Sequence, residues 1–88
     1  MMIGDIAVIP EIGDVIIGNN PKIVKNDLSM LCKKGQDIIV VKEGEELKFK
    51  VKDIRLSFTF TEKIIINIIL ENSEDFVKLK VGDLVYKI

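Results

Sequence analysis

Histidine is absent from the 88-residue sequence, and a single cysteine, Cys32, is present. The common metal sites and the Ser-His or Cys-His nucleophile pairs therefore cannot be assembled from one chain. The acidic clusters at residues 43–46 and 71–75 lack the alternating ligand spacing of a calcium loop. We therefore expect a protein that is not an enzyme and that holds no metal or cofactor.

The sequence also has little net charge, because 13 basic residues nearly balance 14 acidic ones. Such a chain has no long-range field that would attract nucleic acid or an anionic membrane. Any partner of that kind would need a local patch of charge.

A lone cysteine rules out a disulfide within the chain and favours a reducing compartment. The first residues lack the basic leader and long apolar run of a signal peptide, and the longest apolar stretch is interrupted by Asn67. We expect a cytoplasmic protein with no membrane partner and no disulfide partner.

Tryptophan is absent and tyrosine occurs once, so the apolar share of 48% is carried mainly by Ile, Val and Leu. Branched aliphatic side chains favour strands. A recurring Gly-Asp pair followed by apolar residues is typical of a turn that leads into a strand. The clear copies of this pair are Gly4-Asp5, Gly13-Asp14 and Gly82-Asp83.

These patterns predict one all-β domain over residues 1–88, a small antiparallel barrel of bent strands with one short helix. The helix is expected over residues 28–34, followed by Gly35 as its stop. Strands are predicted at residues 5–9, 15–17, 38–42, 47–60, 64–70, 77–80 and 84–88.

Residues 47–60 change the parity of their apolar positions near Asp53. Leu47, Phe49 and Val51 alternate with lysines, and the apolar phase then moves by one residue to the series Ile54, Leu56, Phe58 and Phe60. An extra residue near Lys52-Asp53 would keep all of these side chains on the inner face. We therefore predict a β-bulge that bends the strand, as suits a small barrel.

Residues 64–70 are apolar on both faces except at Asn67. One face can line the core, and the other needs a cover, since contiguous exposed apolar surface usually marks a contact site. Either the short helix or another subunit would provide it. The interface candidates are Ile65, Asn67 and Ile69.

Basic residues form a second candidate surface. Three lysines alternate along one strand, an arginine follows the bulge, and two lysines repeat the spacing later in the chain. If those strands were adjacent, they would form a cationic stripe able to follow phosphates, although an ordinary solvated face explains them too. The RNA-contacting candidates are Lys48, Lys50, Lys52, Arg55, Lys78 and Lys80.

Two segments, residues 49–54 (Phe-Lys-Val-Lys-Asp-Ile) and residues 78–85 (Lys-Leu-Lys-Val-Gly-Asp-Leu-Val), carry a family resemblance. With residues 64–70 between them, they resemble the second-domain β-barrel of translational GTPases of the elongation factor Tu type, over about half the chain and in a permuted strand order. The resemblance implies a barrel associated with RNA or the ribosome. The chain contains no phosphate-binding loop of the kind that GTP hydrolysis needs.

The leading functional hypothesis is a non-catalytic module for protein interaction or self-association. The alternative is an RNA- or ribosome-associated barrel. Cys32 is expected to be a buried core residue, and a reactive thiol at this position is less favoured.

Overall fold

Six strands and one 3-10 helix form the described part of the chain, residues 1–19, 31–61 and 63–87 of a computed structural model. The all-β class is confirmed. The strands are β1 (Met2–Ile9), β2 (Gly13–Asn19), β3 (Asp37–Lys42), β4 (Glu45–Phe58), β5 (Ile64–Leu70) and β6 (Val85–Lys87), and the 3-10 helix spans Glu74–Lys78.

The strands form one antiparallel sheet in the order β1-β2-β5-β4-β3-β6. Its two edges approach each other at a single bridge between Met2 and Leu84. There the Ile3 N–H donates to the carbonyl of Asp83 at 2.9 Å, and the Val85 N–H donates to that of Met1 at 2.7 Å. The sheet is bent but not closed, so the expected barrel is not confirmed.

β4 is the bent strand, and it belongs to both halves of the sheet. Its first half pairs with β3 up to Lys50, and its second half pairs with β5 from Val51 onwards. The register shifts between Val51 and Asp53, which leaves Lys52 as the extra residue. The predicted bulge is confirmed at this position.

The inward face of β4 follows the prediction only in part. Leu47, Phe49 and Val51 are buried, and Ile54 and Leu56 are partly buried against the core. The prediction was wrong for Phe58 and Phe60, which are 53% and 110% exposed. Phe58 occupies the last pair of the β4–β5 ladder and Phe60 lies in the turn beyond it, so both side chains extend past the core.

The core lies between the inner face of β5 and the inward residues of β2, β3 and β4. Each fully buried aliphatic or aromatic side chain contributes about 1.5–3 kcal/mol relative to exposure. Cys32 is 6% exposed and belongs to this cluster, which confirms its assignment to the core. The largest fully buried side chains are Phe49, Ile3, Ile16, Ile38, Ile66, Val40 and Val51.

β3 and β4 are joined by a two-residue turn, because Lys42 pairs directly with Glu45. Both turn residues have positive φ, 51° at Glu43 and 79° at Gly44. Such turns match the right-handed twist of a hairpin, and Gly accepts this conformation without steric cost. Residues 43 and 44 therefore form the turn of a β3–β4 hairpin.

Two local predictions differ from the structure. The strand predicted at residues 77–80 is absent, and Glu74–Lys78 forms a 3-10 helix in which Ser73 Oγ accepts a hydrogen bond from the Asp75 N–H. Residues 31–34 of the predicted helix are irregular. Residues 28–30 of that helix lie outside the described residues.

Candidate protein-interaction surface

The outer face of β5 holds the predicted interface residues. Ile69 is only 4% exposed, and Ile65 and Asn67 are partly buried. Ile69 pairs with Val15 of β2, which is itself 3% exposed. Ile69 therefore has little surface left for a partner.

The hairpin formed by β1 and β2 lies beside the outer face of β5. A groove of about 200 Å³ next to Ile69 is lined by Ile9 and Ile12 from the end of β1 and the following turn, and by Arg55 and Ser57 of β4. The cover expected from a helix or a second subunit is therefore supplied in part by the chain's own hairpin.

Asn67, the polar residue in the apolar run, is tied to β4. Its side-chain amide donates to the carbonyl of Arg55 at 3.1 Å and lies 3.5 Å from Ser57 Oγ. The side-chain NH₂ group of Asn67 is therefore hydrogen-bonded within the chain.

The basic candidates do not form the expected stripe. Lys48, Lys50 and Lys52 are exposed along β4, but Lys78 lies on the 3-10 helix and Lys80 follows it. The second strand that the stripe required is therefore missing from this part of the fold.

Acidic neighbours also neutralise some of these cations. Lys50 Nζ lies 4.0 Å from Asp37 Oδ1, and Arg55 Nε lies 3.7 Å from Asp53 Oδ2. Lys78 Nζ lies 3.1 Å from Asp75, and hydrogen bonding to this carboxylate raises the pKa of Lys78. Within the described ranges, Lys48 and Lys52 carry no ion pair.

A second exposed surface lies on the outer face of β3 and β6, where β6 meets the start of β1. Here apolar side chains from β1, β3, β6 and the residue before β6 lie side by side. We call this surface the apolar strip, and it consists of Met2, Ile39, Val41, Leu84 and Tyr86.

The strand register places these side chains together. Tyr86 pairs with Ile39, and Leu84 bridges to Met2. Directly paired residues point to the same face, as do residues two apart in a strand. Met2, Val41, Leu84 and Tyr86 are between 45% and 55% exposed, and Ile39 is partly buried.

Charged residues of β4 border the strip. Lys48 pairs with Ile39, and Glu46 pairs with Val41. Both charged side chains are exposed, and neither makes an ion pair in the part of the chain that the structure describes. The strip therefore has one cation and one anion along its β4 side.

A signal for this surface was present in the sequence. Residues 38–41 read Ile-Ile-Val-Val, which is apolar on both faces just as residues 64–70 are. The contribution of Tyr86 and Leu84 was not visible, because it depends on β6 lying next to β3.

Other kinds of site receive little support. Among residues 1–19, 31–61 and 63–87, no group of three or more His, Cys, Asp or Glu side chains is placed to hold a metal ion. Burial raises the pKa of the Cys32 thiol, although a backbone hydrogen bond and the charges of Lys87 and the amino terminus act in the opposite direction. No helix in the described ranges is long and apolar enough to cross a membrane.

Comparisons with family models, curated proteins and solved structures gave no match. The resemblance to the translational GTPase barrel therefore stays a prediction.

Proposed function

We propose that this protein is a non-catalytic module that binds another protein chain through the apolar strip. The observation that carries the proposal is the contiguity of the strip across β1, β6 and β3, with four side chains about half exposed. Scattered apolar residues are ordinary on a protein surface, whereas a contiguous patch marks a contact site.

The size of the strip fits such a role. Four half-exposed side chains and the partly buried Ile39 amount to roughly 400 Å², within the range of functional surface patches. Covering the exposed half of each of the four would contribute on the order of 1 kcal/mol per side chain. Tyrosine is also enriched at protein interfaces, because its ring is apolar and its hydroxyl can stay hydrated.

The proposed location is the cytoplasm. The single thiol is buried in the core, and a reducing compartment would preserve it. No catalytic role is assigned to any residue.

Photocrosslinking in cells tests the proposal. A photoreactive amino acid would replace Val41 in the strip, and in a matched control it would replace Val8, which is 70% exposed and lies toward the other end of β1 from Met2. We expect protein adducts from position 41 well above those from position 8. Equal yields at the two positions would contradict the proposal.

RNA binding is a second candidate function, favoured by the exposure of Lys48, Lys50 and Lys52 along β4. Lysine contacts to phosphates release counterions, so the affinity should fall as salt rises. A Lys50→Glu/Lys52→Glu variant would then bind a mixed RNA pool at least tenfold more weakly at low salt. If the unmodified protein fails to bind that pool, this candidate is excluded.

A further inference from the structure

We infer that the occupant of the apolar strip is a second copy of this chain, stacked face to face about a two-fold axis. The inference rests on the proposed function and adds the identity of the partner. The axis would run across β4, β3 and β6 at the level of Val40, which pairs with Leu47 on one side and with Val85 on the other.

On each of the three strands, one outward-facing residue lies on either side of the proposed axis. On β4, the outward residues on either side of Leu47 are Glu46 and Lys48. On β3, Val41 and Ile39 flank Val40 in the same way. Leu84 and Tyr86 flank Val85 at the edge of the sheet.

A half-turn about the proposed axis reverses the strand direction and leaves each strand over its own copy. Glu46 then faces Lys48 of the second copy, and Lys48 faces Glu46 of the second copy. Val41 meets Ile39 of the second copy, and Leu84 meets Tyr86. Two ion pairs thus border an apolar centre, an arrangement in which opposite charges fix the register of the two copies.

The charges are free to take part in this contact. Neither Glu46 nor Lys48 has an ionic partner in the described ranges, whereas Lys50, Arg55 and Lys78 have theirs. Under the two-fold rotation, two charges that have no ionic partner within the described part of one chain are thus brought opposite each other.

The available area suits a modest dimer. A standard interface covers about 800 Å² on each partner, and about 65% of a homodimer interface is apolar. The roughly 400 Å² of the strip would supply most of that apolar share. Face-to-face packing of sheets at a small angle is a common arrangement, so no rearrangement of the strands is required.

Exchanging the charges of residues 46 and 48 tests whether two copies of the chain pair in this way. The variants Glu46→Lys and Lys48→Glu each place like charges opposite one another, and the double variant restores opposite charges with their positions exchanged. We expect each single variant to raise the dimer dissociation constant, measured by sedimentation, about tenfold or more, and the double variant to return it to within about threefold of the unmodified value. Lys63→Glu, an exposed change of the same charge at the β4–β5 turn, is the matched control and should have no effect.

Several outcomes would overturn the inference. One is a double variant that dimerises as weakly as the single variants, and another is an unmodified protein that stays monomeric at millimolar concentration. If a charge reversal prevents folding, the test is the effect of salt on dimerisation of the unmodified protein and of the Glu46→Gln/Lys48→Gln variant. We expect added salt to weaken the unmodified dimer more than the dimer of this variant. Equal salt dependence of the two would overturn the inference.

The crosslinking result separates this inference from the proposed function. Adducts from position 41 with twice the mass of the chain support both. Adducts of another mass support the interaction module and overturn the second copy, and equal yields at positions 41 and 8 contradict the interaction module itself.

Discussion

Asp5 and Asp53 occupy the same local position in two different strands. Each is the first residue after a register shift, in β1 and β4 respectively. The Asp5 carboxylate accepts a hydrogen bond from the Ile6 N–H at 2.8 Å, and the Asp53 carboxylate accepts one from the Ile54 N–H at 2.9 Å. A side chain thus holds a backbone donor at the point where each strand bends, as aspartate does in turns.

Removal of the Asp53 carboxylate should weaken the fold. We expect Asp53→Ala to lower the free energy of unfolding by about 1 kcal/mol, the contribution of a typical hydrogen bond. The same change at Asp5, where the bond is exposed, should cost less. Denaturant titration measures both, and Asp53→Asn is the control, because its side-chain oxygen can still accept the bond. Equal losses of unfolding free energy in the Ala and Asn variants would show that the hydrogen bond accepted by the side-chain oxygen does not stabilise the fold.

Gly18 should tolerate no side chain. A Cβ at this position would collide with the carbonyl oxygen of Met2, a backbone atom that cannot move aside without shifting β1. We expect Gly18→Ala to lower the free energy of unfolding by about 2 kcal/mol, within the range for overpacking.

Gly4 provides the matched control on the opposite strand. A Cβ there would lie 3.6 Å from the carbonyl oxygen of Ile17, an ordinary contact distance. Gly4→Ala should therefore be much milder in the same thermal or denaturant unfolding experiment. If both variants unfold alike, the close approach at Gly18 is not the cause.

Two phenyl rings, that of Phe49 within β4 and that of Phe60 in the turn after it, should differ in how much their loss lowers the free energy of unfolding. Phe49 is 2% exposed, so Phe49→Ala should cost about 3–5 kcal/mol. Phe60 is fully exposed, so Phe60→Ala should change the free energy of unfolding by less than about 0.5 kcal/mol. A large loss at Phe60 would mean that its ring is covered in solution.

These two rings also show how far the sequence could predict the fold. Parity alone located the bulge, because a one-residue change of phase within a strand is what an inserted residue produces. It could not tell where the core ends, since Phe58, in the last pair of the β4–β5 ladder, and Phe60, beyond that pair, continue the apolar pattern although both are exposed. The bounds of β5 were predictable because charged residues, Lys63 and Glu71, flank its apolar run.

Local competition accounts for the strand that was predicted wrongly. Val77 and Leu79 alternate with lysines as a strand would, but the Ser73 cap and the buried Phe76 favour a 3-10 helix there. The apolar strip could not be assembled from the sequence, because it depends on β6 lying beside β3 and meeting the start of β1. Strand order across distant segments is not encoded in any local pattern.

Asp83 should make the stability of the protein depend on pH. Partial burial acts to raise the pKa of this carboxyl, but the Lys80 N–H, a hydrogen bond from Lys42 and the charges of both lysines together lower it. Lys42 Nζ lies 3.0 Å from the Asp83 carboxylate and donates to the Lys78 carbonyl at 2.5 Å, which ties β3 to the end of the 3-10 helix.

A carboxyl whose pKa is lower in the folded state stabilises the fold above its unfolded pKa and loses that contribution as the pH falls through the folded value. Asp83→Asn should therefore be less stable than the unmodified protein at pH 7, by up to about 1 kcal/mol for a partly exposed ion pair, and the difference should shrink below about pH 4. Denaturant unfolding at pH 7 and pH 3 measures this, with Glu71→Gln, the same kind of change at an exposed position, as the control. A difference between Asp83→Asn and the unmodified protein that persists unchanged at pH 3 would mean that the charge of Asp83 is not the stabilising element.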